Sequence, residues 1–475
     1  MFIGQTRFSL FVPQSGSWRA SNGKKLSSEA DYRAYLYDPQ RMEFRTNHFI
    51  EHTVPLLAQA ARGHEVTHIV SFSESLPQRW KSRLEEAGQQ YDFLRLDERK
   101  DGEQAWDTPQ AVIRASGHTG VYGSYRLDDD DMLATGFFDA AQPYLAEPFV
   151  GMFVSFPLGV EAIFDGTHFS NFRLAHVPMN SMGLMALCSI DAEKNIRAPK
   201  GGPHDLTDRY SPVILDSRHV NYLRSLHDGQ DNAMRYQDGS VLERLLHETG
   251  KNPPLHDYDQ LASAFPTVAA RIDQGAQEFA IGEAVGEGVG FALAEQGARG
   301  VADVTIVLSL NSEELIGPEH FVVYLLVVDA QGRKLPRHQA VAGLKSIKRG
   351  RIGHCHLMPV KEGQSRVVVS LHLEQGQSLQ GFCVKGLEPK AQKVSLETVS
   401  VAADAAFHSV DAARFAALVN HTPMRVQDRA HDLLVDRRDS IRAVATRVLG
   451  QQRAEWALAK LRLLYRRIRR LASRR

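Results

Sequence analysis

Four consecutive aspartates end the segment Val121-Tyr-Gly-Ser-Tyr-Arg-Leu-Asp-Asp-Asp-Asp131. A strand sends alternate side chains to opposite faces, so Asp128 and Asp130 share a face for as long as the backbone stays extended. Two carboxylates on one face at a strand end make a hard-oxygen site for Mg²⁺ or Mn²⁺, of the kind that substrate phosphates complete. Adjacent like charges resist joint ionisation unless a cation is present. Arg126, just before the run, is a partner for a carboxylate or a phosphate. The competing reading is a solvated acidic loop. Against it stands the apolar, aromatic lead-in of Val121, Tyr122, Tyr125 and Leu127.

The elements that must position this run read as an α/β domain over residues 1–240. Residues 8–12 predict a short buried strand that Pro13 and a Gln-Ser-Gly cluster terminate. Residues 49–61 carry apolar side chains at helical period, residues 66–72 read as a second strand, and residues 77–87 as a helix with Pro near its start. Residues 91–96 and 120–127 predict further strands, the last running into the aspartates. Ligands of open α/β sheets collect at the carboxyl ends of strands, which is where this run would lie.

A helical connector is expected over residues 241–277. Residues 278–402 turn to β character, with strands at 304–310, 321–328, 366–373, 379–384 and 394–401 separated by turns, a pattern that predicts a β-sandwich. The last region, 403–475, reads as helical and basic. From Arg425 to Arg475 there are 15 Arg and Lys against 5 Asp and Glu, while the whole chain of 475 residues has formal net charge +0, so the body is acidic. Ala457, Leu461, Leu464, Ile468 and Leu471 form one apolar stripe among arginines. Such a helix could lie on an anionic membrane surface, pack on the body, or pair with another chain. Nucleic acid is not the expected partner of an acidic body with few aromatic residues.

Composition bounds the class. With 43% hydrophobic and 24% charged residues the chain is globular, and its length calls for two or three domains. Three scattered cysteines suggest neither a disulfide framework nor a Cys-based zinc site. No secretory signal is apparent at the start, so a cytoplasmic protein, peripheral on the inner membrane face through its tail, is expected.

Taken together, Arg126-Leu-Asp-Asp-Asp-Asp131 resembles the Arg-Leu/Ile-Asp-Asn-Asp-Asp motif of the rhamnosyltransferase family, with Asp129 where the family has Asn. Other segments agree in order over roughly residues 7–235. Arg45-Thr-Asn-His-Phe-Ile-Glu-His-Thr-Val-Pro-Leu-Leu-Ala-Gln59 is similar to a family helix with Leu-Pro-Ser-Leu, here without the Ser. Ser71-Phe-Ser-Glu-Ser-Leu-Pro77 resembles a strand-end Ser-x-x-Leu-Pro. Arg224-Ser-Leu-His-Asp-Gly-Gln-Asp-Asn232 resembles a His-Gly-x-Asn segment, with an extra Asp after His227 that favours His227 over Asn232. The resemblance implies a GT-A-type glycosyltransferase fold with Asp128, Asp130 and Asp131 as ligands of Mn²⁺ or Mg²⁺. It also implies a nucleotide-sugar donor contacted by Arg45, Ser73, Arg126, Asp128 and His227, and a glycan or lipid-linked acceptor. A base is needed if the linkage inverts, and Asp205 in Gly201-Gly-Pro-His-Asp205 is the candidate. Its ordinary alternative is turn capping.

Other signals carry less. Gly286-Glu-Gly-Val-Gly290 lacks phosphate-loop spacing and reads as a turn or bulge. His354-Cys355-His356 puts two histidines on one strand face without further ligands and reads as strand surface. The rival function is a non-catalytic carbohydrate-binding or assembly protein on an inactive domain of the same fold.

Overall fold

The computed structural model describes residues 1–15, 26, 28–227, 241–294, 300–347, 353–426 and 428–429. The basic stripe from residue 453 onward and Asn232 lie outside these. Twelve strands form in the N-terminal half: β1 (Phe2–Arg7), β2 (Val66–Ser73), β3 (Leu94–Arg99), β4 (Gly120–Arg126), β5 (Asp131–Leu133), β6 (Phe153–Ser155), β7 (Leu158–Phe164), β8 (Phe169–His176), β9 (Met185–Ile190), β10 (Ile196–Arg197), β11 (Val213–Leu215) and β12 (Tyr222–Leu226). The large sheet runs β11-β6-β9-β4-β1-β2-β3, with β10 on β9. Within it β1 is parallel to both β2 and β4, while β9 is antiparallel to β4. A second sheet has the order β5-β12-β7-β8.

The strands at 66–72 and 120–127 form where the sequence places them. The strand expected at 8–12 does not: β1 ends at Arg7, and Ser9 takes a left-handed φ of 42° that no strand tolerates. Those residues are buried as irregular chain instead. Phe8 packs in the core with Val70 and Trp80. Burial, not strand pairing, is what their apolar run encoded.

The helix expected at 49–61 forms as the last two of three consecutive pieces. Asp38 caps Pro39–Asn47 by accepting from the Arg41 amide (3.0 Å), and Pro39 opens it with the φ a first turn needs. A π-helical turn, His48–Thr53, follows and passes into Val54–Ala60. Its wider turn brings His48, His52 and Thr53 all inward.

Three helices, Val241–Thr249, Tyr258–Ala264 and Pro266–Gln274, form the connector. Beyond it come β13 (Ala276–Ala284), β14 (Val289–Leu293), β15 (Asp303–Ser312), β16 (Ile316–Val328), β17 (Lys345–Ile347), β18 (Gly353–Val360), β19 (Gly363–His372), β20 (Ser378–Gly386), β21 (Ser395–Ala403) and β22 (Phe407–Asp411). They make two sheets, β13-β21-β15-β19 and β17-β18-β16-β20-β14-β22. Both contribute to one apolar core, with Ile306 and Val369 from the first and Val323 and Phe382 from the second. Gly286 and Gly288 take positive φ in the turn between β13 and β14, as a turn requires. Helix Ala412–His421 follows β22.

The two halves are not separate bodies of apolar packing. One cluster joins Val160 and Phe172 of the second sheet, Tyr258 and Phe265 of the connector, and Val307 and Val368 beyond it. The His354–His356 face is correspondingly not surface: both side chains are buried, and the His356 ring meets the His256 ring of the connector at 5.6 Å. No helix of the described residues is long and apolar enough to cross a membrane.

Candidate functional site

Strand β4 stops at Arg126 because the chain there is claimed by other partners. The Leu127 amide donates to Gln5 O (3.0 Å), Thr6 Oγ1 donates to Leu127 O (2.9 Å), and the Gly183 amide donates to Arg126 O (3.1 Å). The aspartates then turn, with the Asp131 amide donating to Asp128 O (3.3 Å), before the chain re-enters a strand at Asp131. The run is therefore not extended, and the expectation that Asp128 and Asp130 share a strand face is overturned. Each carboxylate meets a different environment.

Asp128 is the most open of the four, about a third exposed, and Arg126 donates to it at 3.0 Å. Asp129 is buried against Arg45 in a close ion pair. Burial nonetheless pushes its carboxyl up, to about 6, against the pull of Arg45. Asp130 accepts from Arg45 Nη2 (3.1 Å) and from His227 Nε2 (3.1 Å). Burial works against its charge, but Arg45 and His227 together outweigh that and hold the carboxyl well below the usual carboxylate range. Asp131 is the reverse case. Burial first, then Asp130 and Asp128, drive its pKa well above the ordinary value, and Arg224 only partly compensates.

Arg45, expected as a donor contact, is buried and ties two of the four aspartates together. His227 stands behind Asp130, its ring 4.2 Å from that of Phe44. Burial lowers its pKa despite Asp130, so the imidazole is neutral at pH 7. A carboxylate only accepts, so Nε2 carries the proton and the buried Nδ1 keeps its lone pair, without a partner among the described residues. Beneath this layer Thr53 Oγ1 donates to Asp131 O (3.0 Å), and His48 Nε2 lies 2.6 Å from Ser225 Oγ. The π-helical turn thus supports the aspartate turn from below.

These groups open onto a cavity of about 440 Å³. Its wall includes Arg7, Arg41, Arg45, Arg126 and Arg224, the four aspartates, and the segment 177–182 with His204 and Asp205. Of the expected residues, Arg45, Arg126, Asp128, Asp130, Asp131 and Asp205 are brought together there. Ser73 is not on the wall: it is fully buried at the end of β2, and its hydroxyl accepts from the Phe11 amide (2.8 Å), pinning the irregular 8–12 segment. His227 is behind the wall rather than on it. Asp205, on a 3₁₀ turn spanning His204–Arg209, is exposed, and the His204 ring reaches Met179 O (2.9 Å).

Three arginines of the wall were not singled out from the sequence. Arg41 sits four positions before Arg45 on the same helix face, a signal that was available. Arg7 ends β1, as Arg126 ends β4 beside it. Arg224 was not legible: it lies opposite Asp131 through the antiparallel pairing of β12 with β5, a contact 93 residues apart, and is held by Glu161 (3.0 Å).

Among the described residues, no three His, Cys, Asp or Glu side chains converge as a ready-made metal cage. The donor set still suits a hard cation. Asp131 is a buried carboxylate whose charge is under-compensated, Asp128 is open, and one Asp129 oxygen is buried without a partner among the described residues. A magnesium-like ion takes one or two carboxylates and completes its shell with phosphate and water, so a full protein cage is not required.

The class this layout defines is an α/β domain whose site gathers at the carboxyl ends of parallel strands, where such sheets bind ligands. Residues 1–238 match the family described as "Putative rhamnosyl transferase". The chain belongs to that family and is a glycosyltransferase. No curated protein matches it. Similar solved structures include residues 1–349 of S. aureus TarS in complex with UDP-GlcNAc, at 10% identity over 57% of this chain and 69% of that chain, TM-score 0.27. They also include S. aureus TarS, at 10% identity over 87% and 86%, TM-score 0.23, and the inositol-1-phosphate CTP transferase from T. maritima, at 7% identity over 47% and 87%, TM-score 0.19. None reaches the similarity at which a shared fold carries further meaning, so the assignment rests on the family match.

Proposed function

We propose that the chain transfers a sugar, L-rhamnose on the family's description, from a nucleoside-diphosphate donor to a hydroxyl of a glycan or lipid-linked acceptor. The N-terminal half acts as a GT-A-type domain, and the two C-terminal sheets act as an accessory β-sandwich. The observation that carries this reading is the convergence of five arginines and the aspartate turn on one cavity at the strand ends. A diphosphate needs cations that are held in place before it arrives, and Arg45 on Asp129 and Asp130, Arg126 on Asp128 and Arg224 on Glu161 are so held.

Asp128 and Asp131 are the carboxylates open to Mn²⁺ or Mg²⁺. Asp130 completes that set by motif but is already bridged by Arg45 and His227, so it acts through them. When bound, the cation supplies charge neutralisation at the departing diphosphate. Arg45 fixes the aspartate turn, and His227 fixes Asp130. Arg7, Arg41 and Arg126 present guanidinium groups to the phosphates. In the transfer, the acceptor oxygen forms a bond to the anomeric carbon as the bond from that carbon to the diphosphate oxygen breaks. The hydroxyl proton passes to Asp205, and the nucleoside diphosphate leaves with the bonding pair.

Turnover is the test. Purified full chain incubated with a panel of sugar nucleotides and Mn²⁺ should release nucleoside diphosphate slowly by hydrolysis from at least one donor. Release should drop by roughly two orders of magnitude or more in the Asp128→Ala, Asp130→Ala double variant, the scale of losing one electrostatic element of a transition state. Equal release by the variant would end this reading.

A further inference from the structure

The transferase reading leaves open how the second substrate is held. Of the six large apolar side chains exposed among the described residues, Val177 lines the cavity, and Tyr210 and Leu215 follow the wall residues His204 and Asp205 along the chain. Tyr210 is 49% exposed and directly follows the 3₁₀ turn that carries His204 and Asp205. One face of its ring lies against Gly202, so closely that a Cβ there would meet three ring atoms at 2.4 to 3.0 Å. Only glycine permits that approach, and the backing fixes the ring's orientation. The ring's place in the chain is fixed as well. The Tyr210 and Ser211 amides donate to Thr207 O (3.0 and 3.1 Å), and Ser211 Oγ accepts from the Lys200 amide (2.9 Å).

A rigid aromatic ring, backed by main chain on one side and open on the other, is what a sugar's apolar face stacks on. A pyranose presents C–H groups on that face and hydroxyls at its rim, so it needs an apolar platform with polar groups beside it. Here the wall residues His204 and Asp205 lie on the turn that joins Gly202 to Tyr210.

We infer that Tyr210 on Gly202 is the platform for a pyranose ring of the acceptor, aligning its hydroxyl with Asp205. The proposal rests on the transferase reading for the identity of the occupant, and it makes that occupant a saccharide rather than the lipid of a lipid-linked acceptor.

The test is saturation-transfer NMR on the full chain with methyl pyranosides of rhamnose, glucose, galactose, mannose and N-acetylglucosamine, using wild type, Tyr210→Phe and Tyr210→Ala. Binding of nucleoside diphosphates is measured in parallel on the same proteins. Transfer to the ring C–H protons of at least one glycoside is expected in wild type and Tyr210→Phe. It should weaken roughly two- to tenfold in Tyr210→Ala, the range that one aromatic stacking contact spans, with nucleotide binding unchanged. Equal transfer in Tyr210→Ala overturns the proposal. So does no transfer in wild type. Loss of nucleotide binding in all three proteins would instead sink the donor reading, and the saccharide result would stand apart from it.

Discussion

Two arginines are buried in this protein in different company. Arg45 bridges Asp129 and Asp130 at the edge of an open cavity. Arg173, on β8 at the joint between the halves, is equally buried, yet among the described residues its guanidinium donates only to the Asn171 side-chain oxygen (3.1 and 2.9 Å). Its near neighbours His256 and His356 are held neutral by burial, each with one ring nitrogen unpartnered among the described residues. Desolvation lowers the Arg173 pKa to about 10. Buried charge on its own therefore does not mark a site. At Arg45 the charges of both signs are set against one another and face space that a ligand can enter. At Arg173 a desolvated cation rests on one amide oxygen, and no anion among the described residues is arranged for it.

The contrast is sharpest in variants. Arg45→Met leaves Asp129 and Asp130 buried with too little positive charge. It should cost about 3–5 kcal/mol of stability, the scale for breaking a buried pair, and it should abolish donor binding. Urea unfolding followed by fluorescence, with nucleotide titration alongside, measures both. A variant that keeps its urea midpoint would show that Arg45 holds nothing together.

Acid should act on the joint and on the sheet core. His68, which burial holds at about 3, and His256, at about 4, are neutral when folded, and His356 is likewise pushed well below the ordinary value. Unfolded, they titrate near 6.5, so the unfolded chain binds more protons below that pH. Depressed histidines contribute stability that is present above about 6.5 and is lost as pH falls toward 3 to 4. The urea midpoint should be lower at pH 5.0 than at pH 7.5. Equal midpoints would mean that these rings are not neutral and enclosed.

Much of this contrast was hidden from the sequence, for physical reasons. The strand into the aspartates and the strand at 66–73 were legible because a buried parallel strand needs a short apolar run. The acidic run itself was legible because four adjacent carboxylates need an explanation. What each carboxylate does was not legible, since it depends on Arg45, Arg224 and His227, which reach the turn from remote segments. The residues at 8–12 and the His354–His356 pair misled in opposite ways. Residues 8–12 have the composition of a strand because buried irregular chain needs the same apolar side chains. The histidine pair has the pattern of an exposed strand face because polar alternation does not reveal that the connector will cover it.

A smaller effect separates the carboxylates themselves. Asp131 carries the least compensated charge, so Asp131→Asn should raise the thermal midpoint without added metal by about one degree, on the scale of about 1 kcal/mol for relieving one buried charge. It should also remove the stabilisation that Mn²⁺ gives the wild type. An unchanged Mn²⁺ response would take Asp131 out of the cation site. The smallest effect belongs to Arg173→Met. There the relief of a desolvated cation and the loss of its hydrogen bonds to Asn171 oppose each other, and stability should move by less than about 1 kcal/mol. A loss as large as that of Arg45→Met would erase the distinction between the two arginines.

Calorimetric titration of nucleoside diphosphates into the full chain, with and without Mn²⁺, tests the central claim most directly when wild type is run beside the Asp128→Ala, Asp130→Ala variant. The account predicts binding to wild type that strengthens with Mn²⁺ and disappears in the variant. Binding that ignores both the metal and the aspartates would contradict it.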